Sequence, residues 1–135
     1  DSIQLKNIKQ LVRIMDKALN NTSVVLLFKI GNKAILFPGD AQLENWSYAL
    51  SNQKLKDELK NVTLYKVGHH GSTNATPKTM WNIISKKNPL TTLLSTKPGK
   101  HSGVPQKTLV EVLDKKSTLI NTQKFGKKLS EEVII

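Results

Sequence analysis

Two adjacent histidines, His69 and His70, are the residues of this sequence best suited to chemistry. A strand-like apolar run precedes them, and glycines flank them at Gly68 and Gly71. Histidine titrates near neutral pH, and its neutral ring is the commonest metal ligand in proteins. The flanking glycines let the chain turn sharply and leave room for an ion or a phosphate. The stretch indicates a metal site at a strand end, with polar residues satisfied by local hydrogen bonds as the plain alternative.

A carboxylate follows a second strand-like segment. Asp40 comes directly after Pro38 and Gly39, which end an apolar run. Taken alone, an aspartate at this place is typical of a helix N-cap. Ligands of open α/β sheets, however, gather at strand ends, and imidazole nitrogen with carboxylate oxygen suits zinc, iron or manganese. We therefore expect Asp40 and the histidine pair to meet in one site.

The elements that must position these residues are predicted by the apolar pattern. A hairpin followed by alternating strands and helices indicates an α/β fold, a mixed sheet with helices packed on it. Gly31 and Asn32 predict the hairpin turn, and the unbroken apolar run before them predicts a strand buried on both faces. Strands are expected at residues 24–30, 33–37, 62–67, 91–95, 117–121 and 131–135. Helices are expected at residues 3–19, 41–50, 77–86 and 105–115, with 52–60 either a short helix or a solvated connection.

For two of these helices the sequence also predicts a capping residue or the buried face. Thr76 is a possible N-cap for the helix that Pro77 opens. In the helix that Pro105 opens, the apolar spacing predicts that Leu109, Val112 and Leu113 face inward.

The length and composition of the chain limit its domain organisation and its possible partners. The 135 residues suffice for one domain or for half of a larger one, without an internal boundary. There is no cysteine, which excludes thiolate ligands, and no apolar run is long enough to span a membrane. Lysine and arginine number 21 against 10 acidic residues, a formal net charge of +11 that favours polyanionic partners. Because Arg13 is the only arginine and the lysines are dispersed, a solvated lysine surface and a nucleic-acid patch both stay open.

Three blocks in sequence order, at residues 21–27, 34–40 and 64–72, resemble the metallo-β-lactamase fold hydrolases, especially the branch like the ComEC DNA-uptake proteins. The resemblance implies an αββα sandwich of two mixed sheets covered by helices. It implies that Asp40 bridges two divalent metal ions, two zinc ions or else iron or manganese. His70 would be the last metal ligand and His69 would contact a substrate phosphate or transfer a proton, although the two roles could be exchanged. Asp40 and His69 are then the catalytic candidates.

Two departures from the family pattern limit what the resemblance implies. The family's His-x-His-x-Asp-His block and its next histidine are missing, and none of the 39 residues before Asp40 is histidine. Because both lie upstream of the Gly-Asp block in the family, residues 1–135 resemble the C-terminal half of the domain. The chain also lacks an initiator methionine, which indicates a processed or truncated piece. The second departure is Val104, which stands where the family has a late histidine. His101 is a candidate substitute, with a free surface histidine as the alternative.

The resemblance thus implies a metal-dependent hydrolase, phosphodiesterase-like or nuclease-like, in the cytoplasm. An N-terminal half of the same domain would complete the metal site, and this chain alone is expected to be inactive or nearly so. Nucleic acid or another phosphoester would be the substrate, contacted by Ser72, Lys97, Lys100 and His101. Two alternatives stay open: a non-catalytic protein of this fold that binds nucleic acid through lysines, and an assembly module whose half-sheet is completed by another chain.

Overall fold

The computed structural model describes residues 22–86, 89–97 and 103–125, together with residues 10, 15 and 99. The described chain forms a five-stranded mixed sheet with four helices. The strands are β1 (Leu26–Ile30), β2 (Lys33–Phe37), β3 (Val62–Lys66), β4 (Thr91–Leu94) and β5 (Thr118–Asn121). The helices are α1 (Leu43–Ala49), α2 (Gln53–Leu59), α3 (Lys78–Ile84) and α4 (Lys107–Lys116). Short 3-10 turns occupy Gly68–Gly71 and Thr122–Phe125.

The predicted α/β class and mixed sheet are confirmed, and the five strands appear where the apolar pattern predicts them. The stretch 52–60, for which a helix and a solvated connection were both open, forms helix α2. The predicted helix at 3–19 and the strand at 131–135 lie outside the described residues, except that residues 10 and 15 are helical. No helix in the described ranges has the length and apolar character needed to cross a membrane.

The strands are ordered β1-β2-β3-β4-β5 across the sheet. β1 and β2 form the predicted antiparallel hairpin, in which Ile30 pairs with Lys33 around a turn that holds Gly31 at a φ of 59°. The other neighbours pair in parallel. Crossovers between parallel strands are right-handed, so successive crossovers in one direction place all their helices on the same face.

The core lies between that face and the helices. Trp46, Met80 and Leu113 come from the helices, and Leu36 and Tyr65 come from the sheet; all are essentially inaccessible to solvent. Large apolar side chains buried to this degree supply most of the free energy that holds helices on a sheet. The sheet and its helical layer therefore form a rigid support for the loops at the strand ends.

The other face of the sheet is apolar and exposed. We call it the open face; within the described ranges no element covers it, and its first two strands contribute Leu26, Phe28, Ile30, Ile35 and Phe37. The expectation that residues 24–30 form a strand buried on both faces is therefore wrong, because Phe28 is 49% exposed and Ile30 is 65% exposed. The run is apolar on both faces, but among the described residues only the face toward the helices has a partner layer.

Two smaller expectations also need correction. Thr76 does not cap α3, whose N-cap position is Pro77; its hydroxyl lies 2.8 Å from the hydroxyl of Tyr65 instead. Val112 does not face inward, because 41% of its surface is exposed, whereas Leu113 is fully buried and Leu109 is partly buried. The helical period of α4 permits either assignment for Val112, and the structure places its side chain at the surface.

Candidate functional site

The loops that follow β2 and β3 meet at the carboxyl edge of the sheet. β2 is followed by residues 38–40 and β3 by the Gly68–Gly71 turn. The backbone N–H of His69 donates to the carbonyl of Gly39 over 3.1 Å. A Cβ added at Gly68 would lie 3.2 Å from that same carbonyl oxygen and 3.1 Å from Cγ of Pro38, so a larger residue would push the two loops apart by a few tenths of an ångström. The structure thus brings the loop of Asp40 against the loop of the histidine pair.

Asp40 is an exposed residue of a turn, and it does not cap a helix. The N-cap of α1 is Gln42, whose backbone N–H donates to Oδ1 of Asn45 over 3.0 Å. The turn before it is closed by the N–H of Ala41, which donates to the carbonyl of Pro38. Helix capping, the plain alternative for this aspartate, therefore does not explain its presence here.

Lys66 lies close enough to Asp40 for electrostatic attraction, and it was not identified from the sequence as a site residue. It is the last residue of β3, half-buried, and its ammonium group donates to the carbonyl of Val67 over 3.1 Å. Burial lowers the pKa of Lys66, and the electrostatic attraction of the Asp40 carboxylate opposes that effect. In the sequence this lysine is one more polar residue of a strand, and only the pairing of β2 with β3 shows its relation to Asp40.

The two histidines occupy an uncommon backbone conformation. His69 has φ 41° and ψ 47°, and His70 has φ 53° and ψ 24°. This left-handed region costs a residue with a Cβ about 1 to 2 kcal/mol. Such strain persists only where the surrounding structure enforces it, and it clusters at functional sites. The two histidines and Gly71, with φ 79°, form three successive left-handed residues in one turn.

The ring of His70 is oriented by a carbonyl group. Its Nδ1 lies 2.7 Å from the carbonyl oxygen of Ser95, just beyond the end of β4. A carbonyl only accepts hydrogen bonds, so the neutral ring carries its proton on Nδ1 and its lone pair on Nε2. Metal-binding histidines usually donate their other ring N–H to a carbonyl or carboxylate in this way. The orientation of His70 therefore fits a metal ligand.

His69 is half-buried and contacts Ser72. Its Nδ1 lies 3.5 Å from the Ser72 hydroxyl, and the backbone N–H of Ser72 donates to the carbonyl of His69 over 3.0 Å. Lys97 is exposed and follows the end of β4, at the same carboxyl edge of the sheet. Lys100 and His101 lie outside the described residues.

A buried tyrosine supports the histidine turn from below. The hydroxyl of Tyr65 pairs with the hydroxyl of Thr76 and accepts the backbone N–H of Gly68 over 3.4 Å. Burial raises the pKa of Tyr65 to about 12. On the other side, the N–H of Gln106, which precedes α4, donates to the carbonyl of Gly71 over 3.0 Å. Sequence reasoning missed Tyr65 because an aromatic residue in a strand is typical of any core.

Among the described residues, Asp40 and one or both histidines are the potential metal ligands at this edge. In the described part of the chain no group of three or more histidine, cysteine, aspartate or glutamate side chains could hold a metal ion. A catalytic zinc site usually has about three protein ligands. The described residues therefore provide a partial set.

Compared with known proteins, the chain matches no protein-family model, no curated protein and no solved structure. The expected likeness to the metallo-β-lactamase fold hydrolases accordingly rests on the three sequence blocks at residues 21–27, 34–40 and 64–72 alone.

Proposed function

We propose that this chain contributes part of the dinuclear metal centre of a hydrolase that cleaves phosphodiesters, and that protein outside this chain supplies the remaining ligands. The observation that carries the proposal is the orientation of His70. A strained turn holds its ring so that Nδ1 faces the Ser95 carbonyl, which is the hydrogen bond that metal-binding histidines usually make with their other ring nitrogen. The adjoining Asp40 loop offers the carboxylate that such a centre also needs.

The residues of this edge have distinct roles in the proposal. Asp40 and His70 hold metal, which when bound supplies Lewis-acid stabilisation and an activated water. His69, beside the Ser72 hydroxyl, holds or transfers a proton or contacts a phosphate oxygen. Lys97 and the +11 charge of the chain attract an anionic substrate to the site.

The proposal is tested by measuring metal content and intact mass together on natively purified material. We expect about one to two equivalents of zinc, iron or manganese per chain when a second polypeptide accompanies this one. Asp40→Asn and His70→Ala should each abolish that metal content, whereas Asp57→Asn, an exposed site on α2, should leave it unchanged. Equal metal content in all three variants would contradict the assignment.

Activity supplies a second test. The chain without any accompanying polypeptide should turn over bis(p-nitrophenyl) phosphate no faster than the metal ions alone, because its ligand set is partial. Robust turnover by the purified single chain would overturn the claim that essential ligands lie outside it.

The open face favours a second candidate, an assembly module without catalysis. An α/β sheet of parallel strands is normally covered on both faces, and here Leu26, Phe28 and Ile30 are exposed. In that case a partner would bind the open face whether or not metal is present. A third possibility, binding of nucleic acid through dispersed lysines, would show a steep salt dependence without metal dependence.

A further inference from the structure

A groove runs between α3 and α4, on the helical side of the sheet and opposite the open face. It consists of two hollows that share Lys78, Trp81 and Val112. The larger has a volume of about 1090 Å³ and is also lined by Lys86, Lys115 and Lys116. The smaller has a volume of about 330 Å³ and is mostly apolar, with Leu43, Pro77 and Leu109 in its wall. We call the two together the α3–α4 groove.

The lysine end of the groove lacks compensating charge. Its four lysines, Lys78, Lys86, Lys115 and Lys116, are all exposed. Within the described ranges none of them forms an ion pair, and no carboxylate lines either hollow. Lys115 and Lys116 lie in the last turn of α4, where they stabilise the helix dipole. Lys78 lies in the first turn of α3, where a positive charge is unfavourable. Helix stability therefore does not explain why these four lysines lie together. Their combined positive potential would attract an anionic partner.

The smaller, apolar hollow limits which class of partner can bind the groove. Val112 is 41% exposed and Leu43 is 49% exposed in its wall. A nucleic acid would use the lysines but would leave this hollow unfilled, and the ring of Trp81 is too buried to stack on a base. A second copy bound through the same groove would place its own lysines against these four, which is unfavourable. A partner with both apolar anchors and carboxylates fits both hollows.

We propose that the α3–α4 groove binds an acidic amphipathic helix of a partner protein. Its apolar residues fill the hollow between Leu43 and Val112, and its carboxylates pair with Lys78, Lys86, Lys115 and Lys116. Helix-in-groove recognition of this kind reads anchors spaced by three or four residues. α3 is seven residues long, about 10 Å, which matches two turns of a bound helix. The groove stays accessible when the open face is covered, so the inference is independent of the proposed function.

The probe is a synthetic amphipathic peptide of about 14 residues, long enough for marginal helix formation, with leucines on one face and glutamates beside them. Its dissociation constant is measured by fluorescence anisotropy, and amide NMR of the chain locates the contact. Lys86→Glu with Lys115→Glu should weaken binding about tenfold or more. The matched control, Lys54→Glu with Lys124→Glu at exposed sites outside the groove, changes the net charge equally and should weaken it less than about twofold.

Val112→Asp tests the apolar end and should also weaken binding about tenfold, while circular dichroism shows an intact fold. Three results would overturn the proposal: equal weakening by the control pair, equal affinity for a scrambled peptide of the same composition, or equal affinity for a peptide with glutamine in place of glutamate. An oligonucleotide of about 15 nucleotides that bound the groove more tightly than the peptide would also overturn it, in favour of a nucleic-acid site.

Discussion

At the residue scale, His69 and His70 show how much of a candidate site depends on backbone conformation. Their place between glycines after an apolar run could be read from the sequence, but their left-handed φ values could not. A regular strand would direct the two rings to opposite faces of the sheet. The turn instead makes His69 half-buried beside Ser72 and directs Nδ1 of His70 toward the Ser95 carbonyl.

The hydrogen bond of His70 makes a spectroscopic prediction. At a pH where the ring is neutral, His70 should be protonated on Nδ1, because the Ser95 carbonyl only accepts hydrogen bonds. Long-range proton–nitrogen correlation spectra of the imidazole distinguish the two tautomers directly. A dominant Nε2-protonated form would contradict the hydrogen bond to Ser95 and the resemblance of His70 to metal-binding histidines that rests on it.

The conformation of Gly71 makes a stability prediction. Gly71→Ala should destabilise the chain by about 2 to 4 kcal/mol, because φ is 79° and the new Cβ would lie 3.0 Å from Cβ of Pro105 and 3.2 Å from Cδ1 of Leu94. Gly31→Ala is the matched control, with φ 59° and no atom within 4 Å of the new Cβ. It should cost only about 1 to 2 kcal/mol in urea unfolding. Equal costs for the two variants would show that Gly71 is not confined between Pro105 and Leu94.

At the element scale, the strand ends and the hairpin could be predicted from the sequence, and the layers around them could not. Gly31 and Asn32 predict the hairpin because two-residue β-hairpin turns require backbone conformations that glycine and asparagine adopt more easily than other residues. The run at residues 24–30 is apolar on both faces, and that pattern does not say whether a second layer is present in the same chain. Likewise Lys66 and Tyr65 become site residues only once β3 lies between β2 and β4.

The Tyr65 hydroxyl links the sheet to the histidine turn, so its removal should loosen that turn. Tyr65→Phe should cost about 1 to 2 kcal/mol at neutral pH, because the buried Gly68 N–H loses its acceptor and Thr76 loses its partner. Urea unfolding measures this cost, and amide exchange of residues 68–71 should accelerate. Unchanged exchange in this turn would contradict the supporting role of the tyrosine.

Because the pKa of Tyr65 is raised, the stability difference between the wild type and Tyr65→Phe should depend on pH. The folded-state pKa is about 12 against an unfolded value of 10.0, so the folded state binds the proton more tightly. This contribution to stability is complete below pH 10 and is lost as the pH rises toward 12. The stability advantage of the wild type over Tyr65→Phe should therefore shrink by about 1 kcal/mol by pH 11. A constant difference between pH 8 and 11 would contradict the burial of an uncharged hydroxyl.

At the scale of the whole molecule, the open face is the largest feature without an explanation inside the described chain. Exposed apolar patches of this kind mark interaction surfaces or cause association. The rings of Phe28 and Phe37 pack edge to face on it, with centroids 5.9 Å apart. The face is where a second sheet would lie in an αββα sandwich, and it is where we expect the isolated chain to self-associate.

Introducing a positive charge on each side of the sheet tests this expectation. Phe28→Lys should leave the unfolding free energy within about 1 kcal/mol of the wild type and should reduce self-association in sedimentation experiments, because Phe28 is half-exposed. Leu36→Lys, on the helical side and fully buried, should prevent folding. Equal damage by the two substitutions would mean that another layer already covers the open face in the isolated chain.

A zinc titration of the isolated chain, followed by amide and imidazole NMR, tests whether this edge of the sheet binds metal. We expect weak binding confined to the loops of Asp40 and residues 68–72, lost in His70→Ala and retained in Asp57→Asn. A partial ligand set should bind zinc far more weakly than a complete structural or catalytic site. No response of these loops at saturating zinc, or the same response in His70→Ala, would contradict the assignment of this edge as part of a metal centre.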